Sequence, residues 1–336
     1  MKRFLIKTIL FLFIVYGLAW GVDFVISKGL LKMDDYRFMS WNDMLNDNVE
    51  ADVVILGNSR GFSHFDPWTI DTICGLKTYC LGLGGYPINV ELLKYNCFRL
   101  YNKPRYIIHQ VDYMTMKMLQ APHQHQSEQF LPLIYDKTMR GELRRVGYTW
   151  KDLYIPLYRY WGYQMVIKNG LLEGLGVKHY VSDPSRLGHH YERGEWNGAE
   201  LAQMDTIVAT MDSAALCEFE KYMQRCQEEG IRVILVNSPT YIGATNKTKG
   251  LDKVNAYFDS IASAYNTVYW NYNENYDLCN DTANFCVSVH MNPEATHEFS
   301  VDFARDLKEY LDSLEQGQQS CWLRQLAIGY GRGSKK

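Results

Sequence analysis

The chain has 336 residues, enough for one large domain or two small ones, and its 47% hydrophobic content supplies a full core. A formal net charge of −3 leaves no basic excess to neutralise phosphates, which excludes nucleic-acid binding as the main role. Aromatic residues reach 14%, which suits a groove-rich fold or a lipid-facing surface and does not choose between them.

The N-terminus reads "MKRFLIKTILFLFIVYGLAWGVDFVISKG". Lys2, Arg3 and Lys7 precede an uncharged stretch from Thr8 to Val22; Asp23 interrupts it, and Phe24-Val25-Ile26 resume. A membrane span needs about 20 apolar residues, and the core of a secretory leader about 7–15. The uncharged stretch fits the second range and, with Phe24 to Ile26 added, approaches the first. Ala19-Trp20-Gly21 offers a small-residue cleavage site. The apolar character runs past that site, which favours an uncleaved anchor over residues 1–30. Basic residues ahead of the apolar run keep the N-terminus inside. The expectation is a single-pass protein of the cell membrane with its C-terminal domain extracytoplasmic. Residues 31–50, rich in Asp and Asn, read as a polar linker.

The next segment, "DVVILGNSRGFSHFDP", runs four apolar residues, Val53 to Leu56, into Gly57-Asn58-Ser59-Arg60. This is the pattern of a strand buried on both faces that stops at a turn. "PWTIDTIC" predicts a short helix with Pro67 at its first position. "KTYCLGLGGYPI" reads as a strand entering a Gly-rich loop, "NVELLKYNCFRLYN" as a helix, and "PRYIIHQVDYMTM" as a buried strand ending near Asp112. Strands and helices alternating in this order predict a parallel sheet with right-handed crossovers.

From about residue 115 to 200 the chain is aromatic and mixed in charge without clean alternation, which predicts a helical insertion laid over the carboxyl ends of the strands. "ALCEFEKYMQRCQEEGIRVILVNSP" returns to the sheet pattern, with an amphipathic helix closed by Gly230 and a strand from Arg232 to Val236. "NTVYWNYN" reads as the last strand. "NPEATHEFSVDFARDLKEYLDSL" reads as the final helix, with Asn292 as N-cap and Pro293 in the first turn. Residues 316–336 read as a polar, loosely ordered tail. The predicted class is α/β, a three-layer sandwich around a parallel sheet in a domain spanning residues 51–315.

In an open parallel sheet, ligands bind beyond the carboxyl ends of the strands. Ser59 lies at that edge, either as a nucleophile or as the cap of the following helix. A serine nucleophile needs a base within hydrogen-bond reach. Most of the nine histidines fall in the insertion, among them His123, His125, His179, His189 and His190. His290 differs: it stands in "NFCVSVHMNPEATHEFS", after the last strand and before the terminal helix, in a loop that opens onto the same edge. Its alternative role is a loop histidine bonded to backbone. Arg60 reads either as a solvated side chain or as a ligand for a substrate carboxylate or phosphate. Asp112 reads as a polar group of the site or as a strand terminator. The aromatic stretch "YIPLYRYWGYQM" reads as core and cap packing or as a sugar platform.

Among eight cysteines, Cys74 with Cys80 and Cys279 with Cys286 could form disulfides in an oxidising compartment or stay free and buried. No C-x-x-C is present, and "HQHQ" lacks the further ligands of a metal site, so no metal is expected.

"VVILGNSRGFSHFDP", the Gly-rich "CLGLGGYPI" and "HMNPEATHEFS" resemble blocks of the SGNH, or GDSL-like, hydrolase superfamily. The closest likeness is to its membrane-anchored, exported branch, the proteins that assist alginate O-acetylation and teichoic-acid D-alanylation. "SEQFLPLIYD" and "YIPLYRYWGY" resemble segments of a Bacteroidetes subgroup within it. The resemblance covers about residues 50 to 313 and implies an SGNH, flavodoxin-like sheet. It implies Ser59 as nucleophile, His290 as general base, and an oxyanion donor at Gly82, or at Gly84 or Gly85 nearby. No cofactor is implied. The substrate would be an acylated glycan or small ester, and a membrane-embedded acyltransferase is an implied partner.

Two departures from the family pattern stand out. The Asp usually found three residues before the His is Val287 here, so Asp277, Asp281 or a backbone carbonyl would have to orient the ring. The family's Gly-x-Asn-Asp is absent after the third strand, where "HQVDYM" stands, which leaves Gln110 or Asn58 as the amide donor. The alternative these departures raise is an SGNH-like scaffold without efficient catalysis.

Overall fold

Val53–Leu56 (β1) is buried at every position, as its unbroken apolar run predicts. In the computed structural model of the chain it lies inside a five-stranded, wholly parallel sheet with Thr78–Cys80 (β2), Tyr106–Gln110 (β3), Arg232–Asn237 (β4) and Tyr269–Asn271 (β5). The strand order is β2-β1-β3-β4-β5, so the order reverses at β1. The structure describes residues 1–46, 49–118, 127–145, 147–182, 187–274 and 276–330.

Alternate residues of each strand feed separate cores on the two faces. Val54, Leu56, Ile107, Val233 and Leu235 pack with helices Ile88–Phe98, Ser213–Glu228 and Leu251–Ala264. Val53, Ile55, Ile108, Ile234 and Val236 pack with Pro67–Cys74 and with the terminal helix through Phe299, Phe303 and Leu307. The expected helix signals operate locally. The Asp66 side chain accepts from Trp68 N–H ahead of Pro67, and Gly230 takes φ +72° after the helix that ends at Glu228.

Three expectations need correction. Residues 31–50 are not a linker: Tyr36–Leu45 is a helix whose Phe38, Trp41 and Met44 are buried. Their spacing of three puts them on one helical face, which the surrounding Asp and Asn conceal. The terminal helix Pro293–Tyr330 runs well into the tail expected to be loose. Of the two alternatives left open for the cysteines, the free one holds: the seven described cysteines are free, five of them buried, and Cys80 Sγ faces the Gly61 carbonyl at 3.3 Å rather than another sulfur.

The third correction concerns the insertion. Among the described residues of this region, 187–204 reach the sheet edge, where Cys80 N–H bonds Leu187 O at 2.8 Å. Segments between 127 and 175 pack instead on the N-terminal helix Lys2–Leu30 (α1) and, through Met139 and Leu143, in the core beneath helix Ile88–Phe98. The reason is Asp23. Its carboxylate is completely buried and accepts from both terminal nitrogens of Arg159 (2.7 and 2.6 Å), from Tyr135 OH (2.7 Å) and from Leu157 N–H (2.7 Å). Leu157 adopts φ +63° there, a backbone state that β-carbon sterics disfavour and the buried contact supports. Gly29, Gly170 and Gly174 bring α1 against helix Gln164–Gly174. A methyl added to Gly29 would stand 1.8 Å from the Gly170 oxygen. Upstream, α1 is long and apolar enough to cross a membrane.

Candidate active site

Ser59 opens the short helix Ser59–Ser63, immediately beyond the carboxyl end of β1. Gly57 makes the turn possible: it sits at φ +140°, and a β-carbon there would stand 2.8 Å from Gln110 Cβ. Asn58 is the N-cap, its side-chain oxygen accepting from Arg60 N–H at 3.0 Å. The helix cap is therefore Asn58, which leaves the Ser59 hydroxyl available. That hydroxyl lies 2.8 Å from His290 Nε2.

His290 is delivered by a hairpin of Phe285–Val287 and His290–Met291. Val287 and His290 are directly paired, joined by the two-residue turn Ser288-Val289. The insertion clamps this turn: Glu200 accepts from Ser288 N–H at 3.1 Å and from Ser288 OH at 3.0 Å. His64 clamps the other side. Met291 N–H donates to His64 Nε2 at 3.3 Å, so that nitrogen is unprotonated and Nδ1–H faces Ser238 Oγ at 3.0 Å. Burial, then the neighbouring His290, holds the His64 imidazole well below its ordinary pKa of 6.5. Burial also lowers the His290 pKa, against the pull of the Glu192 and Glu200 carboxylates, with Arg60 acting in the same sense as burial. A ring neutral at pH 7 can accept the serine proton.

A cavity of about 150 Å³ opens beside Ser59, lined by Asn58, Arg60, Asp112, Asn237, Thr240 and Asn273 among others. Arg60 and Asp112 are bonded to each other and both are buried. The Arg60 guanidinium also donates to Ser238 O at 3.0 Å and Thr240 Oγ1 at 2.6 Å. Asp112 accepts from Asn58 Nδ2 (2.8 Å), Gln110 Nε2 (3.2 Å) and the backbone of Met114 (2.6 Å) and Thr115 (3.1 Å). Burial alone would raise the Asp112 pKa, but the guanidinium and the two amides outweigh it and hold the carboxyl below its usual range. These bonds revise the expected roles. Arg60 and Asp112 line the cavity, yet their charges already neutralise each other. Gln110 and Asn58 use amide protons on Asp112, so their first role is to fix the turn.

The glycine block sits elsewhere. Gly82 lies beneath the helix of Ser59, where a β-carbon would meet Phe62 N at 2.5 Å, and its N–H points to Cys80 Sγ at 3.4 Å. Gly82, Gly84 and Gly85 are not part of the cavity lining; Gly85 holds a turn at φ +73°. The N–H of Ser59, the first of its helix, has no acceptor one turn earlier. Asp277 opens one short 3-10 turn, Asp281 caps the next by accepting from Ala283 N–H at 2.9 Å, and neither shows a bond to His290. Among the described residues no carboxylate bonds the His290 ring. His123 and His125 lie outside the described residues.

Sequence reasoning missed His64, Ser238, Asn237 and Asn273. Asn237-Ser238 close a buried strand at its carboxyl end, where polar residues mark the ligand edge of a parallel sheet, so that signal was present. No family model matches the chain, and no curated protein matches it.

Proposed function

We propose that the protein is an exported, membrane-anchored acyl-ester hydrolase or O-acyltransferase of SGNH type, acting on a cell-envelope glycan through an acyl-Ser59 intermediate. The observation that carries this reading is the 2.8 Å contact between Ser59 Oγ and a neutral His290 at the mouth of a cavity. Ser59 Oγ bonds the acyl carbon while its proton passes to His290 Nε2. The alcohol leaves with that proton. Water, or a glycan hydroxyl, then takes the acyl group and returns the proton to Ser59 through His290. The Ser59 N–H supports the reading as an oxyanion donor, each such donor contributing about 3–4 kcal/mol. A cavity of about 150 Å³ suits a short acyl chain better than a fatty one. The strand order, with Ser59 at the strand beside which the order reverses, agrees with the SGNH likeness of the serine and histidine blocks.

One observation favours a second reading. Val287 faces His290 across the hairpin where the family carries its Asp, and without that anion the imidazolium formed during attack is less stable. In that reading the chain is an SGNH-like scaffold for a membrane-embedded acyltransferase. Turnover of p-nitrophenyl acetate, compared between the parent and Ser59→Ala, together with complementation of the cellular phenotype by the same variant, separates the two. The enzyme reading expects turnover and complementation to disappear together. A parent inert toward esters, complemented fully by Ser59→Ala, overturns it.

A further inference from the structure

We propose that the folded domain is itself seated in the lipid bilayer, through the helix Trp150–Tyr154 of the insertion; this rests on the reading of α1 as a membrane anchor. The residues of α1 divide by environment. Phe4 to Leu18 expose almost every large apolar side chain, whereas Asp23, Ile26, Ser27, Gly29 and Leu30 are buried in the domain. A span of about 30 Å of hydrocarbon takes roughly 20 residues at 1.5 Å each. The stretch from Phe4 to Val22 supplies it, because the fully buried residues of α1 begin at Asp23, so the bilayer boundary falls near Val22.

The insertion reaches below that boundary. Tyr16 OH donates to the carbonyl oxygen of Tyr154 at 2.8 Å. Tyr16 lies six residues before Val22, roughly 9 Å deeper along the helix, and side chains on a helix lean toward its N-terminus. The segment around Tyr154 is thereby placed beside membrane-spanning residues. Its composition fits that depth. Trp150 is 63% exposed and Tyr154 46% exposed, although both are large aromatics on one short helix. Lys151 stands over the Tyr158 ring, and Arg144 donates to Tyr154 OH at 2.9 Å. Aromatic bodies with long basic side chains alongside suit the outer hydrocarbon and its boundary with the headgroups, the charged ends reaching up toward water. The last-turn carbonyl of this helix, at Tyr154, finds its donor in the spanning helix itself, as a backbone acceptor at membrane depth requires.

The occupant of this surface is therefore the outer interface of the bilayer that α1 crosses. The chain is fixed to it at two points, the span and the Trp150 helix, so the domain cannot swing freely on its anchor.

The test uses the full chain in liposomes of phosphatidylcholine with phosphatidylglycerol. Cys217, the exposed cysteine among the seven described, the half-buried Cys74, and Cys321 are replaced by serine. Single nitroxides are placed through Trp150→Cys, through Leu12→Cys in the exposed apolar part of α1, and through Lys221→Cys on a solvent-facing helix. Relaxation by oxygen is compared with relaxation by a water-soluble nickel chelate. The expected result is oxygen-favoured relaxation at position 12, intermediate values at position 150, and nickel-favoured relaxation at position 221. Position 150 matching position 221 while position 12 remains lipid-exposed overturns the seating and leaves the anchor intact. Shielding of position 150 from both reagents also overturns it, because a protein partner rather than lipid would cover the helix. Positions 12 and 150 both matching position 221 overturns the anchor reading itself.

Discussion

Two buried polar clusters in this molecule differ in completeness. Around Asp23, every oxygen of the carboxylate and both terminal nitrogens of Arg159 are engaged, and Ser27 and Tyr160 close the ring with a 2.8 Å contact. At the sheet edge, the Arg60–Asp112 pair is equally saturated, but the Ser59–His290 pair beside it is not. Among the described residues, the His290 ring is bonded through Nε2 alone. A saturated buried pair fixes a geometry, because removing either partner leaves an uncompensated charge. A hydroxyl aimed at a neutral, desolvated imidazole, next to open volume, has chemistry left to perform. The first arrangement docks a domain on its helix, and the second carries the proposed chemistry.

Perturbing one region at a time sharpens the contrast. The largest effect is expected from Ser59→Ala, which should lower ester turnover by about 10⁴-fold or more while leaving thermal unfolding within about 1 kcal/mol of the parent. Asp23→Ala should do the opposite. It leaves the Arg159 guanidinium buried without its anion and should cost about 3–5 kcal/mol of stability, read by thermal unfolding in detergent. Turnover per folded molecule should hardly move. Loss of activity without loss of stability in Asp23→Ala would erase the distinction between dock and site.

The second perturbation is pH. His64 and His189 are buried, and burial keeps both imidazoles below 6.5, His189 at about 4. The unfolded chain binds these protons first, so the stability they contribute is present above pH 6.5 and is lost as pH falls below it. For His189 the loss at pH 5 is about 2 kcal/mol. The unfolding temperature should fall between pH 7 and pH 5. The kcat/KM profile should instead stay flat around pH 7 and fall only below 6.5, through the lowered pKa of His290. A rate that falls already near pH 7.5 would contradict a neutral His290 base.

These contrasts were only partly legible in the sequence. All five strands carried local signals, and so did Ser59 and His290. Their neighbours gave a turn after a buried strand and a loop before a capped helix. The Asp23–Arg159 bond joins residues 136 positions apart, and the His64–Met291 bond residues 227 apart. Neither leaves any periodicity to read. Arg60 and Asp112 showed as polar residues at strand ends, but their choice of each other over a ligand is a property of packing. Helix Tyr36–Leu45 was the avoidable miss, because Phe38, Trp41 and Met44 repeat at three-residue spacing amid polar neighbours.

The smallest expected effect is a gain. Val287 is the cross-strand partner of His290, and paired residues project on the same face with Cβ atoms about 4.5–5.5 Å apart. Val287→Asp places a carboxylate beside the imidazole and should raise ester turnover by about 10-fold, equivalent to about 1.4 kcal/mol of transition-state stabilisation. No gain, with the fold intact, would mean that Glu192 and Glu200 already supply the field that the anion would add.

The claim beneath all of these is that Ser59 is activated by His290. Reaction of the intact protein with a fluorophosphonate, followed by peptide mass analysis, tests it without knowledge of the natural substrate. One adduct on the peptide containing Ser59 is predicted for the parent, none for Ser59→Ala, and a much slower reaction for His290→Ala. A folded parent that stays unlabelled, or an adduct that persists in Ser59→Ala, would contradict the account.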